Sequence, residues 1–156
     1  MKKLLAIAIV ALMGAATASA QKGEMAVGAN LLYGTEINSV GLGAKFQYGI
    51  LDHLRGEASF NYYFQNKGFR MWDLNVNAHY VFGITEKFSA YPLAGLTVVN
   101  KSYADIDDSI TRFGLNLGGG CEYDINDRWR VNAEFKYSIV STIDQAVFSL
   151  GAVYKF

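Results

Sequence analysis

The feature that most constrains this chain is a strict alternation of apolar and polar residues. Every even-numbered residue from Trp72 to Phe82 is apolar, whereas the odd-numbered residues from 73 to 79 are polar. The stretch from Trp129 to Ile139 repeats this pattern. A period of two indicates a β-strand with one apolar and one polar face. Eleven such residues extend about 36 Å, which is long for a strand of an ordinary soluble protein.

The same period recurs along the chain and predicts eight strands. They lie at about 24–33, 40–50, 55–64, 72–82, 87–99, 112–123, 129–139 and 148–156. The segment 87–99 is apolar on both faces, so its facing stays unassigned. Pro92 within it cannot donate a backbone hydrogen bond, which suggests an edge or a bulge.

The connections between these strands alternate in length. Those at 51–53, 84–86 and 124–127 are short, whereas those at 34–38, 65–69, 100–110 and 141–145 are longer or more polar. Outer-membrane barrels have short periplasmic turns and longer external loops. Both chain ends fall on the short-turn side, as such a barrel requires.

Aromatic residues on the apolar face are sorted by height. If the first strand runs outward, one group lies near the loop end and forms an upper girdle: Tyr33, Tyr62, Phe64, Trp72, Phe113 and Tyr137. A second group lies near the short-turn end and forms a lower girdle: Tyr48, Tyr80, Phe82, Phe88, Tyr123, Trp129, Tyr154 and Phe156. Two girdles around an aliphatic band are typical of membrane barrels. We therefore predict an all-β fold, an eight-stranded antiparallel up-and-down transmembrane β-barrel.

The first twenty residues have a different character. Lys2 and Lys3 precede an apolar run, and Ala18-Ser19-Ala20 provides a small-residue cleavage site. This is the layout of a secretory signal peptide, and the run is shorter than the ~20 residues of a membrane-spanning helix. We predict a cleaved signal peptide at 1–20 and a barrel domain at 21–156.

The polar face carries nearly balanced charge. Its predicted lumen charge network comprises Lys45, Arg55, Glu57, Asp73, Glu122, Arg130, Glu134 and Lys136, with Lys155 near the end of the chain. An eight-stranded barrel is just wide enough to be filled by its own side chains, and buried charges must be paired. We therefore expect a closed, salt-bridged lumen rather than a catalytic or conducting site. Glycines on the inward face of the second strand are expected to make room for Lys and Arg side chains.

Composition narrows the functional classes further. A formal net charge of zero argues against a nucleic-acid partner, and a single cysteine excludes a disulfide framework. Cys121 is predicted to face lipid and to have no redox role, and Gly118-Gly119-Gly120 to permit bending or close packing. We expect no catalytic residue, cofactor or metal. Cation binding by Asp105, Asp107 and Asp108 in the longest loop stays open, because carboxylates are calcium ligands.

Three alternatives to a closed structural barrel remain. The first is a small channel or ligand-transport barrel. The second is a soluble periplasmic barrel of lipocalin-like shape, with its apolar face inside. The third is a lipid A-modifying enzyme that uses His79, which we disfavour because His79 is predicted to point inward and catalysis requires an accessible nucleophile and base.

The chain ends with Val147-Phe-Ser-Leu-Gly-Ala-Val-Tyr-Lys-Phe156. With the eight alternating strands, this ending resembles the small outer-membrane β-barrel family that includes OmpX and the barrel domain of OmpA. The resemblance implies a non-enzymatic, monomeric protein in the outer membrane of a Gram-negative bacterium, in contact with membrane lipid and lipopolysaccharide. It implies a structural or surface-interaction role and an assembly signal for the barrel-assembly machinery, formed by Phe148, Leu150, Tyr154 and Phe156. Because the loops are short, we expect little protruding sheet edge for adhesion.

Overall fold

A computed structural model describes residue 3 and residues 23–66, 68–103, 108–141 and 144–156. The predicted signal peptide apart from Lys3, and Asp105 and Asp107 of the open cation question, lie outside these residues. Nine strands occur in the described part: β1 Met25–Gly34, β2 Ser39–Gly49, β3 Leu54–Asn66, β4 Phe69–Tyr80, β5 Phe82–Gly83, β6 Phe88–Tyr103, β7 Asp108–Asp124, β8 Trp129–Val140 and β9 Gln145–Lys155.

The strands form one closed antiparallel sheet. Successive strands are neighbours, β4 pairs with β6, and β1 pairs with β9 to close the ring. Because β5 has two residues and continues the edge of β4, the architecture is the predicted eight-stranded up-and-down barrel. No helix of the described residues is long and apolar enough to cross a membrane.

Pro92 explains why β4 and β5 are separate strands. The ladder with β6 stops at the pair His79–Leu93 and resumes at Phe82–Ala90, so Pro92 lies opposite the interruption. A proline has no N–H to contribute there. On the other side of the strand, the N–H of Val81 donates to the carbonyl oxygen of His53 at 2.7 Å and continues the ladder with β3. The expected irregularity at Pro92 is therefore a local break in a ladder.

The apolar face points outward and the polar face points inward. On β6, Leu96 is 62% exposed whereas the adjacent Thr97 is 1% exposed. Leu42, Leu117 and Leu150 on other strands are likewise exposed. The structure assigns the facing left open for 87–99: Tyr91, Leu93 and Val99 point inward. The lipocalin-like alternative, with its apolar face inside, is therefore wrong.

The strand register groups the aromatic residues by height. Tyr62 pairs with Trp72 in the upper girdle, and Trp129 pairs with Tyr154 in the lower girdle. Tyr48 is an exception, because it is 3% exposed instead of facing outward. Its placement in the lower girdle was wrong because burial stops alternating at the end of β2, where three consecutive residues are buried.

Strand β7 extends beyond the start of its neighbour β8 at the loop end of the barrel. Strand residues replace much of the loop predicted at 100–110, since Lys101 pairs with Ile110 and Tyr103 with Asp108. On the other side of β7, the ladder with β8 begins at Gly114–Val140. Among the described residues, 108–113 thus form an overhanging edge without a partner on β8. The expectation of little protruding edge is wrong, because β7 continues past the start of β8 while β6 stays paired with both β4 and β7.

Three short turns join strands at the opposite end, at 50–54, 84–88 and 125–129. Each has the sequence isoleucine, a variable residue, an acid, a base and an apolar residue. In each turn the N–H groups of the first two residues donate to the carbonyl oxygen of the fifth, at 2.9 to 3.4 Å. The three short turns are therefore one repeated structure.

The variable residue caps two of the three short turns. The Thr85 hydroxyl accepts from the N–H of Phe88 at 3.0 Å, and the Asn126 amide oxygen accepts from Trp129 at 2.8 Å. Leu51 occupies the same position in the first turn, where it is exposed and offers no acceptor. The first turn therefore lacks the side-chain hydrogen bond that caps the other two turns.

Leu51→Asn is expected to stabilise the protein. The new amide oxygen would supply the missing acceptor, and one intramolecular hydrogen bond contributes about 0.5–1.5 kcal/mol to the free energy of unfolding. Urea unfolding in phospholipid vesicles measures the change. Leu51→Ala is the control, because it removes the same apolar surface and adds no acceptor. Equal stability of the two variants would contradict the repeated-turn interpretation.

Candidate functional site

The inward charges lie in a buried network near the short-turn end of the lumen. Arg55 on β3 donates two hydrogen bonds to the carboxylate of Glu122 on β7, each 3.0 Å long. Arg130 contacts Asp124 at 2.8 Å and Glu24 at 2.9 Å. It also lies 3.8 Å from Glu122. Glu24 and Asp124, which were not in the predicted network, thus tie Arg130 to β7 and to the start of the barrel.

Of the remaining predicted charges, Lys155 contacts the carboxylate of Asp124 at 3.2 Å, whereas the others contact mainly neutral groups. The ammonium of Lys45 donates to Asn132 at 3.0 Å, and that of Lys136 donates to Asn75 at 3.2 Å. Glu134 accepts from the Tyr91 hydroxyl at 2.8 Å. These three charged side chains are therefore held by neutral partners, two amides and a phenol, and not by salt bridges.

Asparagines connect these groups into a larger network, and none of these asparagines was among the residues predicted for the lumen network. Asp73 accepts from Asn61 at 2.7 Å and also from Asn75. Asn116 donates to Asn75 and to Asn77, each at 2.9 Å. All these residues occupy the polar, inward positions of the alternating pattern, and that pattern was enough to place them in the lumen. A buried amide both donates and accepts, which lets it bridge charges that do not touch.

His79 lies at the centre of the lower lumen and is fully buried. Its ring stacks on Tyr91 with centroids 4.4 Å apart, and Arg55 lies 3.0 Å from its Nδ1. Because arginine donates and never accepts, Nδ1 must accept, and Nε2 of the neutral ring carries the hydrogen. Nε2 lies 3.8 Å from Oε1 of Glu57, which is beyond hydrogen-bond distance. Gln47 donates to the other carboxylate oxygen of Glu57 at 2.7 Å.

Glu57, His79 and Glu134 are the one group in the described residues that is close enough to hold a metal ion. Their ligand atoms lie within 4.8 Å of one another. A metal on Nε2 needs a free lone pair there, and the Arg55 contact leaves Nε2 protonated. Each of the three side chains is instead held by a hydrogen bond from another residue: Gln47 for Glu57, Arg55 for His79 and Tyr91 for Glu134.

Inward glycines provide space for side chains from other strands. A Cβ on Gly151 would lie 2.9 Å from the Lys45 ammonium, and one on Gly120 would lie 2.7 Å from the Tyr91 hydroxyl. On β2, a Cβ on Gly43 would contact the amides of Asn30 and Asn61. The expectation for the second strand is thus corrected: Gly43 accommodates asparagines, and Gly41 accommodates the Leu32 side chain. The space for Lys45 comes from β9, because long side chains cross the lumen.

An apolar cluster fills the loop end of the lumen. It consists of Leu32, Ile37, Tyr63, Met71, Val99, Val140 and Val147, with Phe69 and Ile110 packed against it. A smaller cluster of Val81, Tyr91 and Leu93 lies toward the other end. The sequence contained a sign of this apolar cluster. The alternation gives way to adjacent apolar residues at strand ends, as in Ile139-Val140.

Small cavities lie between the inward side chains of the described residues. Two inward cavities of about 10 Å³ each are found, one bordered by Lys45, Glu57 and Glu134 and one by Arg55 and Arg130. A volume of this size holds about one water molecule. Larger recesses of about 620 and 360 Å³ lie on the lipid-facing side around Cys121 and Ala133.

The other residues singled out by the sequence lie outside the lumen. Phe148, Leu150 and Phe156 of the predicted assembly signal are exposed on the outer face, and Tyr154 is half-buried. Their role in assembly stays a prediction. Asp108 begins β7, and its carboxylate accepts from the N–H of Ser109 at 2.9 Å.

The closed barrel, its apolar exterior and its two girdles define the class of integral outer-membrane β-barrel proteins. The family model for the outer membrane protein beta-barrel domain matches residues 4–156. The chain belongs to this family and is a protein of the outer membrane.

Solved structures of small outer-membrane barrels share the fold. The N-terminal β-barrel domain of Pseudomonas aeruginosa OprF is 17% identical, with a TM-score of 0.75 over 86% of this chain and 98% of that one. Neisserial surface protein A is 19% identical, with a TM-score of 0.67 over 85% and 96%. Ail, the attachment invasion locus protein of Yersinia pestis, is 23% identical, with a TM-score of 0.60 over 86% and 99%. No curated protein matches the sequence.

Proposed function

We propose that this protein is a non-enzymatic outer-membrane barrel with a closed lumen and a structural or surface-interaction role in the cell envelope. The filled interior is the observation that carries the proposal. Two apolar clusters flank a buried polar network, and the inward cavities are of single-water size. A hydrated ion needs a continuous water-filled path, so this packing supports a closed lumen.

Conductance in planar lipid bilayers tests this proposal. The refolded protein is expected to give no step-like current, in contrast to the alternative of a small channel. Heat modifiability on a gel, in which a folded barrel migrates differently before and after boiling, verifies that the sample is folded. Reproducible current steps from folded protein would contradict a closed lumen and favour the channel.

The environment of His79 supports the absence of enzymatic activity in this proposal. The ring is sealed between Tyr91, Arg55 and Glu57, so a lipid substrate cannot reach it. Catalysis by an acid–base group needs direct contact with the reacting atoms. Unchanged lipid A composition in cells that produce His79→Ala would agree with the proposal, and altered lipid A would overturn it.

The overhang of β7 supports the surface-interaction part of the proposal. Residues 108–113 present backbone groups beyond the β8 ladder on the external side. A free strand edge can accept an extended peptide. The structural neighbour Ail is named for attachment and invasion, and at 23% identity it shows a shared fold.

A further inference from the structure

A groove crosses the lipid-facing side of the barrel and is separate from the closed lumen. It consists of two recesses, of about 620 and 360 Å³, which adjoin because both are bordered by Cys121, Ala133 and Leu150. The larger recess extends to Tyr33 of the upper girdle, and the smaller one extends to Tyr123 of the lower girdle. The groove thus runs across β7, β8, β9 and β1, from one girdle to the other.

Small residues form the floor of this groove. Cys121 on β7 pairs with Ala133 on β8, and Gly119 on β7 pairs with Phe135 on β8. The rings of Phe135 and Phe148, with centroids 4.9 Å apart, stand beside this floor. Short side chains next to tall ones create a slot in the wall, where alternating large residues would have created an even surface.

The walls of the groove are apolar. Leu31, Phe148 and Leu150 border it, and more than half of each side chain is exposed. The polar side chains on β8 point away from it, because Asn132 and Glu134 bond to the Tyr91 hydroxyl in the lumen. Clefts of several hundred Å³ with apolar walls are typical binding sites for small ligands. This groove therefore fits a hydrocarbon ligand without hydrogen-bonding groups.

The surroundings and the shape of the groove indicate what occupies it. The groove lies between the girdles of an outer-membrane protein, so hydrocarbon surrounds it. Its floor is formed by two adjacent strands, which lie about 4.8 Å apart, and a helix of about 10–12 Å in diameter is too broad to reach it. The convex wall of a second barrel does not follow a concave slot. A flexible chain does, and it regains the dispersion contacts that an unfilled slot loses.

The floor lies on the short-turn side of the bilayer. Cys121 is three residues before the end of β7 at Asp124, and Ala133 is four residues after the start of β8 at Trp129. At about 3.3 Å per residue, these positions are roughly 10–13 Å from the strand ends, which places them in the lower half of an apolar band about 25 Å tall. The short-turn side faces the periplasm, and phospholipid forms that leaflet of a Gram-negative outer membrane.

We propose that the groove binds one acyl chain of a phospholipid from the periplasmic leaflet. The chain lies over Cys121 and Ala133, against Phe135 and Leu150, and the head group lies beside Tyr123 of the lower girdle. Binding depends on the fit of the chain in the slot, so different head groups bind equally well. The inference depends on the outer-membrane location of the barrel and holds whether or not the lumen is closed.

Native mass spectrometry tests the proposal on protein purified in mild detergent from the outer membrane of a Gram-negative host. The folded barrel is expected to retain one phospholipid, with phosphatidylethanolamine and phosphatidylglycerol bound in the proportions of the membrane. Ala133→Phe fills the floor from β8 and is expected to lose the lipid. Cys121→Leu fills the floor from β7 and should have the same effect. Heat modifiability establishes that each variant is folded.

Ala58→Phe is the matched control. Ala58 is exposed on β3, four residues after the start of that strand at Leu54, so its depth matches that of Ala133, but it does not border the groove. This variant should retain the phospholipid. The proposal would be overturned by an unaltered protein without lipid, by retained lipopolysaccharide in place of phospholipid, or by binding restricted to one head group. Equal retention in all three variants, or a dimer that Ala133→Phe dissociates, would also overturn it.

Discussion

Replacing Arg55 by methionine is expected to lower the free energy of unfolding by about 3–5 kcal/mol, the usual effect of removing one partner of a buried ion pair. Arg55 makes two 3.0 Å hydrogen bonds to Glu122, and both side chains are almost fully buried. The variant leaves Glu122 with Arg130 at 3.8 Å as its remaining cationic neighbour. An incompletely compensated carboxylate in a buried site is therefore the main source of the loss.

Urea unfolding in phospholipid vesicles, followed by tryptophan fluorescence, measures this effect. The double variant Arg55→Met/Glu122→Met is expected to be more stable than Arg55→Met, because replacing both members of a buried pair by apolar groups is often close to neutral. Arg112→Met is the control, since Arg112 is exposed and bonds to a backbone carbonyl. A single variant as stable as this control would contradict the structural role of the network.

Gly118→Ala is expected to cost about 1–3 kcal/mol through overpacking, or to prevent folding. A Cβ at this position would collide with the backbone carbonyl of Phe135 and lie 2.8 Å from the Cα of Lys136. Because both obstacles are backbone atoms of the neighbouring strand, they cannot rotate away. The strands β7 and β8 would have to separate locally, which also disturbs their ladder.

Two other glycines provide a graded comparison. A Cβ on Gly119 would lie 3.1 Å from the Tyr91 carbonyl oxygen, whereas a Cβ on Gly83 meets no atom within 4 Å. We expect the unfolding free energy to fall most for Gly118→Ala, less for Gly119→Ala and hardly at all for Gly83→Ala. Heat modifiability and urea unfolding establish this order. Similar stability of all three variants would mean that close strand approach at Gly118 is unimportant.

Alternation was enough to predict the barrel because a period of two is a local property of each strand. It placed Leu117 outside and Asn116 inside, and girdle residues such as Trp129 at the correct height. It did not predict the burial of Tyr48, which departs from the alternation, nor the extension of β7 past the start of β8. Those features depend on packing and pairing between strands, which periodicity does not encode.

The sequence predicted which charged residues line the lumen, but it did not predict which residues they contact. Parity placed Lys45 and Glu134 in the lumen, yet their partners, Asn132 and Tyr91, come from other strands. Those pairings depend on barrel closure and on the space that Gly151 and Gly120 leave. Charge balance alone favoured salt bridges, because asparagines were not weighed as partners. The repeated motif of the three short turns was readable in the sequence, but its common hydrogen-bond geometry required the structure.

The central claim is that the apolar face contacts lipid while the polar face fills the lumen. Spin labels on cysteines at Leu42, Leu96, Leu117 and Leu150, introduced singly with Cys121→Ala, test it most directly in vesicles. All four side chains are exposed at outward positions. Collisions with oxygen, which dissolves in lipid, are expected to exceed collisions with a water-soluble nickel complex at every site. Labels that collide mainly with the nickel complex, or with neither reagent, would contradict the account.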